Sequence, residues 1–325
     1  MRKVTLGESG PTVSAIGLGC MGMSALYGPR PEEAQSIRTI HRALDLDIDV
    51  IDTSASYGDG HNEQLIAKAI HDRRDRVFLC TKFGIRRDNG PMRIDSSPDW
   101  ARKSCDKSLQ RLGVDHIDLF YLHRRNPDVP TEDTIAAMAE LVAAGKVRHL
   151  GLSEVNAQTL RQAHAVHPLA ALQTEYSLLS RDVEDEILPT CRELDITLVA
   201  YSPISRALLT GEITTDTAFG DDDLRSGNPR FSGGNRAANL ALVDRLRALA
   251  GEMGVTPAQL ALAWLLERGT VPIPGTTKVR HLEDNAAAAT LTLTSEQIQH
   301  IADLMPTNAV RGERLSDAAA RWVGK

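Results

Sequence analysis

The chain has 325 residues, 42% hydrophobic and 25% charged; that balance excludes global disorder, and the length can bury a large core without disulfide or metal staples. Lys and Arg number 37 against 43 Asp and Glu, a net charge of −6, which excludes nucleic acid or an anionic membrane as the main partner while allowing a local basic pocket. The N-terminus has no apolar core before a small-residue cleavage site, so no signal peptide is expected, and no run of about 18 apolar residues predicts a membrane span.

In chain order, residues 1–12, with Gly7 and Gly10-Pro11, read as a hairpin. Residues 13–19 read as a strand and 32–46 as a helix; 49–52 as a strand and 63–70 as a helix. The same alternation continues with strand 76–81 and helix 99–112, strand 116–122 and helix 131–144, strand 147–152 and helix 157–165. Strand 171–174 precedes helix 183–194, and strand 197–201 precedes a long polar loop over about 204–236, its section 215–235 rich in Gly and Asp and expected to be mobile. Helices 237–253 and 257–267, strand 271–274, helix 281–288 and a helix at 295–304 capped by Thr294 or Ser295 complete the pattern. Eight strand–helix units in sequence predict parallel strands with crossover helices, and at this length a closed (β/α)8 TIM barrel with an N-terminal β-hairpin and extra helices. One domain spans 1–325, with a C-terminal tail at 306–325 that is expected to cover the pocket through Trp322.

Four cysteines, Cys20, Cys80, Cys105 and Cys191, form no C-x-x-C pair, so reduced, mostly buried thiols in the cytoplasm are expected rather than a zinc or disulfide framework. Asp221-Asp-Asp223 reads as a solvated acidic loop, and no metal site is expected. Gly17-Leu-Gly-Cys-Met-Gly22 matches G-x-G-x-x-G. Pro29 and Pro31 delay the next helix, and Asp52 stands 30 residues beyond Gly22, so the run reads as a glycine-rich turn after the first barrel strand and not as a dinucleotide fingerprint.

Barrel chemistry sits at the C-terminal ends of the strands. Three consecutive strands deliver Asp52 and Tyr57, then Lys82, then His123 to one rim. A free tyrosine has a pKa of roughly 10 and is a poor acid at neutral pH, and a neighbouring ammonium is expected to lower it. Lys82 supplies that charge, Asp52 holds Lys82 in place, and His123 is placed to donate to a substrate oxygen or relay a proton. Carbonyl reduction needs such a group, because hydride arrives at carbon while a proton goes to oxygen.

The chain resembles the aldo-keto reductase family over nearly its whole length. The resemblance rests on Gly19-Cys-Met-Gly-Met-Ser24, Asp52-Thr…Tyr57-Gly…Asn62-Glu63, Thr81-Lys82-Phe, and Ser108-Leu-x-Arg-Leu-Gly-Val-Asp115. It continues through Tyr121-Leu-His123-Arg, Gly145-Lys-Val-Arg, Gly151-Leu-Ser153, Gln173-Thr-Glu-Tyr-Ser177, Ala200-Tyr-Ser-Pro203, Leu209-Thr-Gly211 and Pro272-Ile-Pro-Gly-Thr276. It implies an NADPH/NADP+-dependent oxidoreductase that reduces a small aldehyde or ketone, with Asp52, Tyr57, Lys82 and His123 as the catalytic tetrad and Tyr57 as general acid. It also implies cofactor contacts. Met21 lies in the first matching segment; Ser153, Glu154 and Gln173 match the positions that hold the nicotinamide carboxamide; Tyr201 matches the stacking aromatic. Ser202, Pro203, Ile204 and Arg206 match the pyrophosphate loop, where Ser205 and Ala207 replace the glycines of the commoner S-P-L-G-x-G. Gly275 and Thr276 lead to Lys278 and Arg280, suited to an adenosine 2′-phosphate at a helix start, and Asp284 and Asn285 match the adenine contacts. Two rival readings are a nucleotide-sensing protein of the potassium-channel β-subunit type and a barrel lyase using Lys82 as a Schiff base.

Overall fold

The computed structural model describes residues 1–7, 10–24, 26–86 and 91–324. Eight parallel strands run in sequence order around the sheet: β1 (Leu18–Gly19), β2 (Val50–Asp52), β3 (Phe78–Phe83), β4 (Ile117–Leu122), β5 (Val147–Ser153), β6 (Ala171–Glu175), β7 (Thr197–Tyr201) and β8 (Val271–Pro272). First and last strands meet: Gly17 N donates to Pro272 O at 3.0 Å, Gly19 N to Pro274 O at 3.3 Å, and a parallel bridge joins Gly19 to Gly275. The sheet is therefore a closed barrel, as expected. Closure needs a glycine at position 19, where a Cβ would stand 2.8 Å from the Ile273 carbonyl oxygen.

The strand expected at 13–19 is two elements. Thr12–Ser14 pairs antiparallel with Lys3–Thr5 in the N-terminal hairpin, and only Leu18–Gly19 enters the barrel. The hairpin closes the floor, since Gly7 N donates to Thr197 Oγ1 and Ser14 N to Asp49 Oδ1, both at strand starts. Glu8 and Ser9 of the expected hairpin turn, and Lys325 of the tail, lie outside the described residues.

Helices α1 (Glu33–Asp45), α2 (His61–Ile70), α3 (Pro98–Leu112), α4 (Thr131–Ala143), α5 (Ala157–Val166) and α6 (Ile187–Glu193) cover the outside, followed by α7 (Gly233–Glu252), α8 (Pro257–Glu267), α9 (Val279–Ala287), α10 (Ser295–Leu304) and a short α11 (Asp317–Ala320). Their starts follow capping chemistry: Ser97 and Asn156 cap α3 and α5, and Thr256 and Thr294 form capping boxes with Gln259 and Gln297. A two-stranded ribbon, Ile85–Arg86 with Arg93–Ile94, follows β3 and was not expected.

Strand periodicity sorts two cores. Val50, Cys80, Leu119, Tyr121, Ala171, Val199 and Val271 form one cluster in the barrel interior. Their strand neighbours Ile51, Leu79, Phe120, Leu172 and Leu198 pack with the helices in another. One inward step further along each strand stand Asp52, Lys82, His123, Gln173 and Tyr201 at the upper rim.

The polar stretch expected to be mobile is pinned. Arg236 donates to Thr217 O at 2.7 Å and Thr215 O at 3.1 Å, Phe219 meets Phe231 edge to face, and Leu224 N donates to Leu26 O. The four cysteines are buried and unpaired. Among the described residues no helix is long and apolar enough to cross a membrane, and no group of three or more potential metal ligands occurs. Asp223 of the acidic triplet is buried on Arg225, while Asp221 and Asp222 are exposed.

Candidate active site

The structure brings the four expected rim residues together. Lys82, fully buried at the end of β3, spends all three of its N–H donors. It reaches Asp52 Oδ1 at 2.5 Å, the Thr53 carbonyl at 2.7 Å and Tyr57 Oη at 3.4 Å. The other Asp52 oxygen accepts from Gln173 Nε2 at 2.8 Å. A lysine has no acceptor, so its bond to Tyr57 leaves the phenol proton uncommitted to Lys82. His123 lies edge-on to the Tyr57 ring, centroids 5.8 Å apart at 85°, and its Nδ1 stands 3.1 Å from Ser54 Oγ.

Protonation follows from these surroundings. Burial works against the Lys82 ammonium, but Asp52 and the Tyr57 oxygen outweigh it, and its pKa rises above the usual lysine value. Tyr57 moves opposite to the expectation. Burial of its hydroxyl pushes the pKa up and outweighs the lowering by Lys82, so the net shift is upward and the phenol keeps its proton. Burial, then Arg124 and Lys82, hold His123 well below its ordinary value, so the imidazole is neutral at pH 7.

The other expected positions divide. Tyr201 ends β7 and is half-buried. Ser202, Ser205, Arg206 and Ala207 adopt left-handed φ of 49°, 48°, 54° and 72°; the loop keeps a glycine-like path although it carries β-carbons. The backbone amides of Arg206 and Ala207 carry no hydrogen bond among the described residues. Pro203 is buried and Ile204 half-buried, and Met21 is half-buried in the turn after β1. Gly275 is exposed and Thr276 Oγ1 accepts from Lys278 N. No side chain caps the start of α9. Lys278 makes no ion pair among the described residues, whereas Arg280 lies 3.5 Å from Glu212. Asp284 accepts from Thr256 and Gln259, and Asn285 is buried beside it.

Several side chains offered to a cofactor in the sequence are held by the protein. Arg206 makes a two-point pair with Glu175, at 3.1 and 2.8 Å. Glu154 is clasped by Arg314 of the tail at 3.1 and 2.8 Å; burial acts upward on its pKa, but Arg314 holds it down at about 2. Ser153 Oγ accepts from Arg124 at 3.1 Å. Glu175 also faces Arg230 at 3.8 Å and Arg314 at 3.7 Å. This buried cluster escaped the sequence reading, although a carboxylate ending a barrel strand inside Gln173-Thr-Glu175 signals a need for cations. The tail is fixed by the same neighbourhood: Asn228 donates to Arg314 O, Asn239 to Arg311 O, and Gly324 N to Glu154 O. Away from the rim, open crevices lined by His71, Arg74 and His116 lie at the opposite end of the strands.

An eight-stranded barrel whose upper rim carries a buried lysine, carboxylate, phenol and imidazole in contact defines a class. The chain belongs to the aldo/keto reductase family, whose model matches residues 15–305. Among solved structures it is similar to a glycerol dehydrogenase of Gluconobacter oxydans (29% identity, 99% of this chain and 96% of that one, TM-score 0.86). It is also similar to an aldo-keto reductase of Bacillus halodurans in its holo form (27%, 94% and 97%, TM-score 0.80). A third, an aldo/keto reductase of Klebsiella pneumoniae in complex with NADP and acetate, matches at 29% identity over 97% and 99% with TM-score 0.73.

Proposed function

We propose that this protein reduces an aldehyde or ketone to an alcohol with NADPH, and that Tyr57 is the general acid. The observation that carries the reading is the triply bonded Lys82, whose third N–H points at the phenol oxygen of Tyr57. When bound, the reduced nicotinamide supplies a hydride to the carbonyl carbon. As negative charge grows on the carbonyl oxygen, Tyr57 gives up its proton, and the phenolate left behind rests against the Lys82 ammonium. Asp52 keeps that ammonium charged and fixed. His123, neutral, offers a hydrogen bond rather than a charge. A fully hydrogen-bonded, protonated Lys82 supports proton chemistry over a Schiff base.

The donor set suits a phosphorylated dinucleotide. The free amides of Arg206 and Ala207 would hold the pyrophosphate, and the Tyr201 ring would lie against the nicotinamide. The uncapped start of α9, with Lys278 beside it, would hold a 2′-phosphate. Arg206 and Glu154 would then act through their ion pairs, shaping the loop and the tail rather than touching the cofactor. The NADP complex of the Klebsiella relative supports the cofactor choice, and the glycerol dehydrogenase relative adds hydroxy-carbonyl compounds to the substrates worth testing.

The test follows loss of reduced-nicotinamide absorbance over aldehydes, diketones and sugar-like ketones. Tyr57→Phe is expected to lower kcat by at least about 100-fold with cofactor affinity unchanged. Wild-type turnover in that variant overturns the assignment.

A further inference from the structure

His123 has one structural question left open by the proposed reaction: which ring nitrogen bears its proton. The imidazole stands perpendicular to the Tyr57 ring and feels the charges of the Lys82 ammonium and the Arg124 guanidinium. Burial first, and then the two cations, disfavour an imidazolium, so the ring has a single N–H. Only one of its nitrogens has a protein partner among the described residues, and that partner is the hydroxyl of Ser54.

Ser54 follows β2 by two residues and is fully buried. A hydroxyl has one proton and two lone pairs. Here Ser56 N donates to the oxygen at 3.2 Å, and Ser56 Oγ lies at 2.9 Å, where either hydroxyl can be the donor. The proton of Ser54 then has three acceptors in reach, Ser56 Oγ and two more. His123 Nδ1 is at 3.1 Å; the Lys82 carbonyl is at 3.4 Å and already accepts from Ala55 N at 3.1 Å. Ser56 is half-buried and within reach of solvent, and the Lys82 carbonyl already has a donor, whereas the imidazole nitrogen belongs to a buried side chain and has no other partner among the described residues.

We propose that Ser54 is a positioning residue: its hydroxyl donates to His123 Nδ1, which forces the ring proton onto Nε2 and makes His123 a hydrogen-bond donor to the substrate oxygen. The chain Ser56 Oγ to Ser54 Oγ to His123 Nδ1 then runs one way, with Ser54 accepting from Ser56 and donating to the ring. Each donation strengthens the next, because a hydroxyl that accepts is a better donor. A ring with the opposite tautomer would present a lone pair to the carbonyl oxygen, and two lone pairs repel. The role given to His123 rests on the reductase reading; the tautomer does not.

Nitrogen-15 NMR of the histidine-labelled full-length protein tests this, with the His123 signals assigned by their loss in His123→Asn. In the wild type, Nδ1 is expected to read as an unprotonated, hydrogen-bonded acceptor and Nε2 as N–H. A wild-type spectrum with the proton on Nδ1 overturns the proposal without any variant at Ser54. Ser54→Ala is expected to let the two tautomers exchange and to lower kcat about tenfold, the usual cost of losing a supporting bond to a working side chain. KM for NADPH should not move. Ser54→Thr, which keeps the hydroxyl, is expected to restore the wild-type ring signals. Unchanged ring signals in Ser54→Ala overturn the proposal. If the wild-type pattern is found in a protein that reduces no carbonyl tested, the reductase reading falls and the tautomer assignment stands.

Discussion

The loop after β7 makes a prediction whose sign differs between neighbours two residues apart. Ser205, Arg206 and Ala207 all take left-handed φ, a conformation that costs an L-residue about 1–2 kcal/mol and glycine almost nothing. Ala207→Gly removes that cost. Against it stand the greater freedom of glycine in the unfolded chain, about 0.4–1 kcal/mol, and the loss of one half-buried methyl, a few tenths of a kcal/mol. The net is a stabilisation of about 0.5 kcal/mol. Ser205→Gly gains the same relief, but Ser205 Oγ is buried against Ser177 Oγ at 2.9 Å. Deleting it strands a buried hydroxyl, at about 1–3 kcal/mol, so that variant is destabilised by about 1 kcal/mol. Chemical denaturation reads both as shifts of the midpoint at unchanged slope. A destabilised Ala207→Gly, or two variants moving in the same direction, would refute the strain argument.

Other perturbations reach the ion pairs. Arg314→Met leaves the Glu154 carboxylate buried with only Thr174 Oγ1 and Glu175 N as partners; destabilisation of about 3 kcal/mol and faster proteolysis of the tail are expected, and an unchanged melting temperature would contradict the pairing. The same pair carries a pH signature. Glu154 sits at about 2 in the fold against an ordinary 4.5, so its stabilisation is complete above pH 4.5 and is lost as pH falls from there through 2. Melting temperatures should fall across that window more steeply in wild type than in Arg314→Met, and equal slopes would count against the assignment. Lys82→Met leaves Asp52 buried with Gln173 alone, and a loss of kcat of at least about 100-fold is expected together with lower stability; retained turnover would exclude Lys82 from the reaction. Lys278→Met should raise KM for NADPH about tenfold and leave that for NADH alone, and an equal effect on both would remove Lys278 from the 2′-phosphate site.

What the sequence made legible was whatever depends on short spacing. Asp52, Lys82 and His123 are each the inward residue at a strand end, and a period of two with an apolar strand before it is enough to aim them at one rim. The split of residues 13–19 was not legible, because the apolar run through Ala15 and Ile16 continues across the break and nothing in its polarity marks where the hairpin stops. Polarity misled again at 215–235. That segment is tied down through backbone carbonyls, Thr215 O and Thr217 O to Arg236, and a carbonyl acceptor leaves no trace in residue type.

The upward shift of Tyr57 shows a deeper limit. Its sign depends on whether desolvation or Lys82 wins, and desolvation is a property of the whole rim once assembled. Glu154 makes the same case from the other side. By position it falls among the residues matched to the nicotinamide carboxamide, yet a buried carboxylate requires a cation before it requires a role. Its cation is Arg314, 160 positions away. The tail that sequence reading expected to cover the pocket is thus joined to the rim at the very residue whose charge it neutralises. Placing that carboxylate in the barrel therefore also determines where the C-terminal segment lies.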